Sequence, residues 1–151
     1  MASSTDSKTG QPIFGYYEPG FNHVGSYQTS CRPFATASLV VPASGSDTYT
    51  KITFPGVTKF VVVRNDELGD SFTSSDIRLS FASGGLNDPN ANYIILKPSS
   101  SFSADFRVTQ LYLMSDSSTA TSASVIAGIT TINAARVPSG SWENTVGVDK
   151  Q

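Results

Sequence analysis

Few side chains in this sequence could do chemistry, and those few are scattered. His23 and Cys31 are the sole histidine and the sole cysteine. A thiol–imidazole nucleophile needs both within hydrogen-bond reach and a third group to orient the base. No surrounding motif supplies that group, so the residue types predict a loop histidine and a packed cysteine. A structural zinc site needs about four ligands of these types, more than one chain offers here. The densest acidic stretch is Asn65-Asp66-Glu67-Leu68-Gly69-Asp70, with Asp76 beyond it; Asn87-Asp88-Pro89-Asn90 is a second oxygen-rich stretch. Calcium takes clustered carboxylate and carbonyl oxygens, and loops of a β-sandwich can present them. The spacing is not that of an EF-hand loop, and solvated turns account for both stretches. Lys97, Asp105 and Arg107 flank strand candidates, where charge discourages wrong pairing, and are read so in preference to an active-site trio. No glycine-rich phosphate loop, nucleophile elbow or zinc-protease helix occurs. The expectation is a protein that is not an enzyme, with no catalytic residue, no metal ligand and no cofactor.

Aromatic side chains are the stronger candidates. Phe14, Tyr16, Tyr17 and Phe21 fall within eight positions of a turn-rich segment that lacks strand alternation. Rings this dense call for a surface to bury against. The sole tryptophan, Trp142, lies in the other terminal segment. These five are the predicted subunit-contact residues. Tyr16, Tyr17 and Trp142 could instead stack on sugar faces, which makes a glycan receptor the alternative partner.

Composition narrows the partners. Formal net charge is −2 and the sequence pI about 5.2. The ten basic residues never cluster. Phosphate neutralisation needs clustered Lys and Arg, so nucleic acid is not the expected partner. Charged residues make up 15% of the chain, below the roughly 25% of a typical soluble domain. Such a surface repels neighbours weakly and suits contact with other subunits. A lone cysteine allows no intrachain disulfide, so a reducing compartment does no harm. The first residues, Met1-Ala2-Ser3-Ser4-Thr5-Asp6, are neither a signal peptide nor a myristoylation site. No stretch approaches the roughly 20 apolar residues of a membrane span. Assembly in a cytoplasm is expected.

Strand patterning organises the rest. Residues 37–42, 49–55, 59–65, 76–82, 93–97, 106–114 and 124–132 are rich in Val, Ile, Leu, Phe, Tyr and Thr, each bounded by turn formers. Residues 24–31 are a candidate first edge strand. Ile77, Leu79 and Phe81 alternate with Arg78 and Ser80, which predicts an inward and an outward face. Segments 60–63, 94–96, 111–114 and 125–126 are apolar on both faces, as strands covered on both sides are. Residues 98–103 and 115–122 are Ser-rich hairpin connections, and Pro55-Gly56 is a tight connection. The prediction is all-β: a single jelly-roll-like β-sandwich of about eight antiparallel strands. It occupies residues 24–132, between an N-terminal arm (1–23) and a C-terminal arm (133–151).

One resemblance follows from particular stretches. They are Gly25-Ser26-Tyr27-Gln28-Thr29-Ser30, Pro33-Phe34-Ala35-Thr36, and Ile52-Thr53-Phe54-Pro55-Gly56-Val57-Thr58-Lys59-Phe60. Further on are Asn92-Tyr93-Ile94-Ile95-Leu96, Phe102, Arg107-Val108-Thr109-Gln110-Leu111-Tyr112-Leu113, and the closing Ala123-Ser124-Val125-Ile126-Ala127-Gly128-Ile129-Thr130-Thr131-Ile132. Together they resemble the small single jelly-roll minor capsid or vertex proteins of large icosahedral double-stranded DNA viruses. The resemblance implies a structural virion protein: a minor capsid, vertex (penton) or cement subunit. It also implies partners that are further copies of the chain and other capsid proteins, and a place in the virion after assembly in the host cytoplasm. A carbohydrate- or receptor-binding β-sandwich module of a fibre or surface appendage is the alternative.

Overall fold

The computed structural model describes residues 20, 22–28, 31–45, 48–66, 75–87 and 92–136. A short helix, α1 (Val24–Gln28), precedes eight strands. These are β1 (Arg32–Val41), β2 (Thr50–Thr53), β3 (Gly56–Asp66), β4 (Ile77–Ser80), β5 (Ile94–Leu96), β6 (Ser101–Ala104), β7 (Gln110–Ser115) and β8 (Thr121–Asn133). One 3₁₀ turn, Ser83–Asn87, joins β4 to β5, and another, Ala134–Arg136, follows β8.

The strands form two four-stranded antiparallel sheets, in the orders β1-β8-β3-β6 and β2-β7-β4-β5. The first strand pairs with the last, the second with the seventh, the third with the sixth and the fourth with the fifth. The chain is thus one long hairpin doubled on itself, with successive pairs assigned to alternate sheets. This is an all-β sandwich of eight antiparallel strands, as the strand pattern predicts.

The core lies between the sheets because each strand alternates. Ala123, Val125, Ala127 and Ile129 of β8 and Val61 and Val63 of β3 face it from one side. Ile52, Ile77, Leu79, Leu96, Leu111 and Leu113 face it from the other. Phe54 fills one end, its ring edge-on to Phe34 with centroids 5.1 Å apart. Full burial of a Val, Leu or Phe side chain is worth about 1.5–3 kcal/mol.

Several elements depart from the sequence pattern. Residues 24–28 are helical, not an edge strand. His23 caps the turn: the Ser26 amide donates to the His23 carbonyl (3.1 Å) and to its Nδ1 (3.2 Å). β1 starts at Arg32, with Pro33 tolerated because β1 is an edge. A bulge between Thr36 and Leu39, with Ser38 at φ 56°, restores the inward face. The Ser-rich 101–104 is a strand, since pairing with β3 needs only backbone groups and Phe102 alone reaches the core. Residues 106–108 are not in β7. Thr58 holds them instead, its amide donating to the Val108 carbonyl (3.0 Å) and its Oγ1 accepting the Val108 amide (3.0 Å).

Ile77 and Leu79 face inward as expected, but Ser80 is buried rather than outward. The 3₁₀ turn folds over it, and a Cβ at Gly85 would lie far inside contact distance of Ser80 Oγ. Segment 94–96 is an edge strand with Ile95 46% exposed, not a strand covered on both faces. Leu79→Ala is expected to cost about 2–5 kcal/mol in a urea titration. A cost below about 1 kcal/mol would contradict the inward face drawn here.

Candidate functional site

The two outer faces of the sandwich differ. On the β2-β7-β4-β5 sheet the chain covers itself. The 3₁₀ turn presses Leu86 onto Tyr112 and Met114, and all three are buried. The Tyr49 ring packs edge-on to Tyr112 at 5.2 Å, and Lys51 Nζ lies 5.7 Å from the Tyr112 centroid. Arg78 spans the face: it ion-pairs with Asp116, donates to the Leu86 carbonyl (3.1 Å) and lies 4.9 Å from the Tyr93 centroid.

On the β1-β8-β3-β6 sheet the covering is local. The odd residues of β8 point into the core, so the even ones point out. At one end, Phe60 and Cys31 close over Gly128, where an added Cβ would sit 2.5 Å from Phe60 Cε1. The row beyond is Ala35, Ile126, Val62 and Ser103, one residue from each strand. Ile126 is 50% exposed, Val62 is half-buried, and Ala35 and Ser103 are exposed. Next come Ser124, Arg64 and Ser101, then Val40 (57% exposed), Ser122 and Asp66. The charges in these rows are Arg64 and Asp66, which pair with each other at 3.5 Å. Asp66 also accepts from the Ser124 hydroxyl. The result is a face where Ile126 and Val40 are exposed, Ser122 is buried and the charges of its rows cancel, and it is the candidate site.

The predicted contact residues Phe14, Tyr16, Tyr17, Phe21 and Trp142 lie outside the described residues. So do Glu67, Asp70, Asp88 and Asn90 of the oxygen-rich stretches. His23 accepts at its cap and is held by the Ser26 hydroxyl at 2.8 Å. Cys31 packs against Gly128. Asp66 pairs with Arg64, and Asp76 with Lys97. Among the described residues no three His, Cys, Asp or Glu side chains gather into a metal-binding group. Lys97 and Arg107 go to different partners, since the Arg107 guanidinium lies 4.2 Å from the Tyr27 centroid. Burial raises the Tyr27 hydroxyl pKa, and the Arg107 charge partly opposes it.

Two buried polar residues that sequence reasoning passed over fix the ends of the sandwich. Asn65 donates through Nδ2 to the Ser75 (2.8 Å) and Leu96 (3.0 Å) carbonyls, tying β3 to the opposite sheet. Thr58 shares its hydroxyl proton between the Phe106 (2.5 Å) and Val108 (3.1 Å) carbonyls. Both sit in a strand that reads as apolar, so nothing local marks them.

The chain matches no known protein-family model and no curated protein sequence. Among the described residues no helix is long and apolar enough to cross a membrane.

Thr58→Val keeps the shape but strands the Val108 amide, at an expected cost of about 1–3 kcal/mol in denaturant titration. A cost near zero would mean that this hydroxyl is not what holds the β6–β7 connection. The hydrogen bond from Lys97 to Asp76 raises the ammonium pKa, and the Asp76 charge adds to it. A raised pKa makes the contribution complete at neutral pH and removes it as pH climbs through the raised value. The Lys97 side chain is 73% exposed and well screened. Lys97→Met is therefore expected to lower the calorimetric midpoint slightly at pH 7, with wild type and variant converging in strongly alkaline buffer.

Proposed function

We propose that this protein is a structural subunit of an icosahedral virus particle, a minor capsid, vertex (penton) or cement protein that acts by contact. The observation that carries the reading is the contrast between the two outer faces. One is covered at its centre by the chain's own 3₁₀ turn and Arg78, with Ile95 exposed at its edge strand. The other leaves Ile126 and Val40 exposed with no net charge around them. A rigid sandwich with one face covered at its centre and the other exposing an aliphatic side chain on its central strand suits a wedge set among neighbours. The resemblance of the strand stretches to single jelly-roll virion proteins, and the rolled-hairpin strand order, support the same reading. Further copies of the chain and other capsid proteins are its partners, and the virion is its place after assembly in the host cytoplasm. Many weak contacts in a closed shell multiply by avidity, so no single contact need be strong.

The test is biochemical. Peptides of this chain should appear in purified particles at a fixed ratio to the major shell protein, and the isolated chain should give no signal on a glycan array. Clear saccharide binding, with the chain missing from the shell, would replace this reading with a receptor-binding module of a fibre or surface appendage. A chain lacking residues 1–23 is expected to keep a cooperative thermal transition and to lose incorporation into particles. Loss of that transition would place the segment within the folding unit instead.

A further inference from the structure

We infer that the outer face of the β1-β8-β3-β6 sheet packs against the same face of a second copy of this chain, about a two-fold axis near Ile126. This rests on the contact reading above and names the surface and its partner.

Size is the first argument. Three strands of some nine residues and the four-residue β6, at about 3.4 Å rise and about 4.8 Å spacing, cover about 500 Å². Two such faces bury about 1,000 Å², within the range of weak, transient interfaces, so the dimer is reversible. Shape is the second. Ile126 and Val62 stand side by side on β8 and β3. Small residues flank them: Ala35 and Ser103 across the strands, and Ser124 along β8. A two-fold contact is self-complementary, so the aliphatic pair of one copy meets the small flanks of the other. Stacked sheets accept this at about 10 Å separation and about 30° between strand directions. Charge is the third. Arg64 and Asp66 cancel within the face, so a copy of itself meets no repulsion although the chain carries −2 overall. A face without net sign offers nothing to select a strongly acidic or basic partner.

Sedimentation velocity on the full chain tests this across a concentration series. Wild type should move from monomer to dimer as concentration rises towards about 100 µM. Ile126→Glu and Val62→Glu bury an unpaired charge at the contact and should each raise the dissociation constant about tenfold or more. Both positions face outward, so the thermal midpoint should stay close to wild type and separate lost dimerisation from lost folding. Ile126→Cys gives an independent readout. Beside the axis, two copies should be joined by a short bis-maleimide, which spans thiols too far apart for a disulfide, whereas wild type with Cys31 alone and Ile95→Cys on the other sheet should not.

A wild type that stays monomeric, or a dimer indifferent to both glutamates, would overturn the inference. So would an Ile126→Cys thiol that becomes reactive only when residues 1–23 are removed, since the chain's own arm would then cover the face. These failures differ from failure of the functional reading. A monomer still incorporated into particles sinks the two-fold contact alone, and a dimer absent from every particle sinks the virion role alone.

Discussion

The pairing of β3 with β8 is the constraint on which the rest depends. These are the longest strands, eleven and thirteen residues, and they lie side by side in the middle of one sheet. Register fixes which side chains share a face, and a slip of one residue would turn every core valine outward. Val61 opposite Ala127 and Val63 opposite Val125 place apolar groups towards the second sheet. Alternating small and large residues, Ala123, Val125, Ala127 and Ile129, let the opposite leucines interdigitate. The same alternation dictates what faces out: Gly128, Ile126 and Ser124 are outward because their neighbours are inward.

That outward set is where the two sheets part. The second sheet recruits a 3₁₀ turn, and Gly85 is the residue that lets this turn sit on Ser80. Arg78 then finds a carboxylate, a carbonyl and a ring within the same chain. The first sheet has a local cover of Phe60 and Cys31 over Gly128, and beyond it aliphatic groups meet water. Exposed aliphatic area costs free energy in a free monomer and is recovered when a neighbour covers it. The proposed function through contact rests on this imbalance.

Much of the architecture was legible in the amino-acid order, because a half-buried strand must alternate. Ile77 and Leu79 were placed correctly on that ground, and residues 111–114, apolar throughout, are a central strand buried on both sides. The errors have physical sources. α1 depends on a histidine cap and on Gly25-Ser26, which carry no strand or helix period. β6 is held by backbone pairing to β3 and needs little apolar content. Ser80 is buried by a segment that follows it in the chain. Ile95 and Ile126 read as covered because their runs are continuously apolar, and composition cannot tell a buried outer face from a bare one. The exposed face therefore carries no mark in the sequence, whereas the aromatic-rich Phe14, Tyr16, Tyr17, Phe21 and Trp142, which the described residues do not include, stand out by residue type.

The central claim is that Ile126 and its row are exposed in the free chain and covered in the assembled one. Hydroxyl-radical footprinting of the peptide spanning residues 121–133, in the free chain and in intact particles, addresses it directly. Strong oxidation at Ile126 in the free chain and clear protection in particles is the predicted result. Equal reactivity in the two states would contradict it.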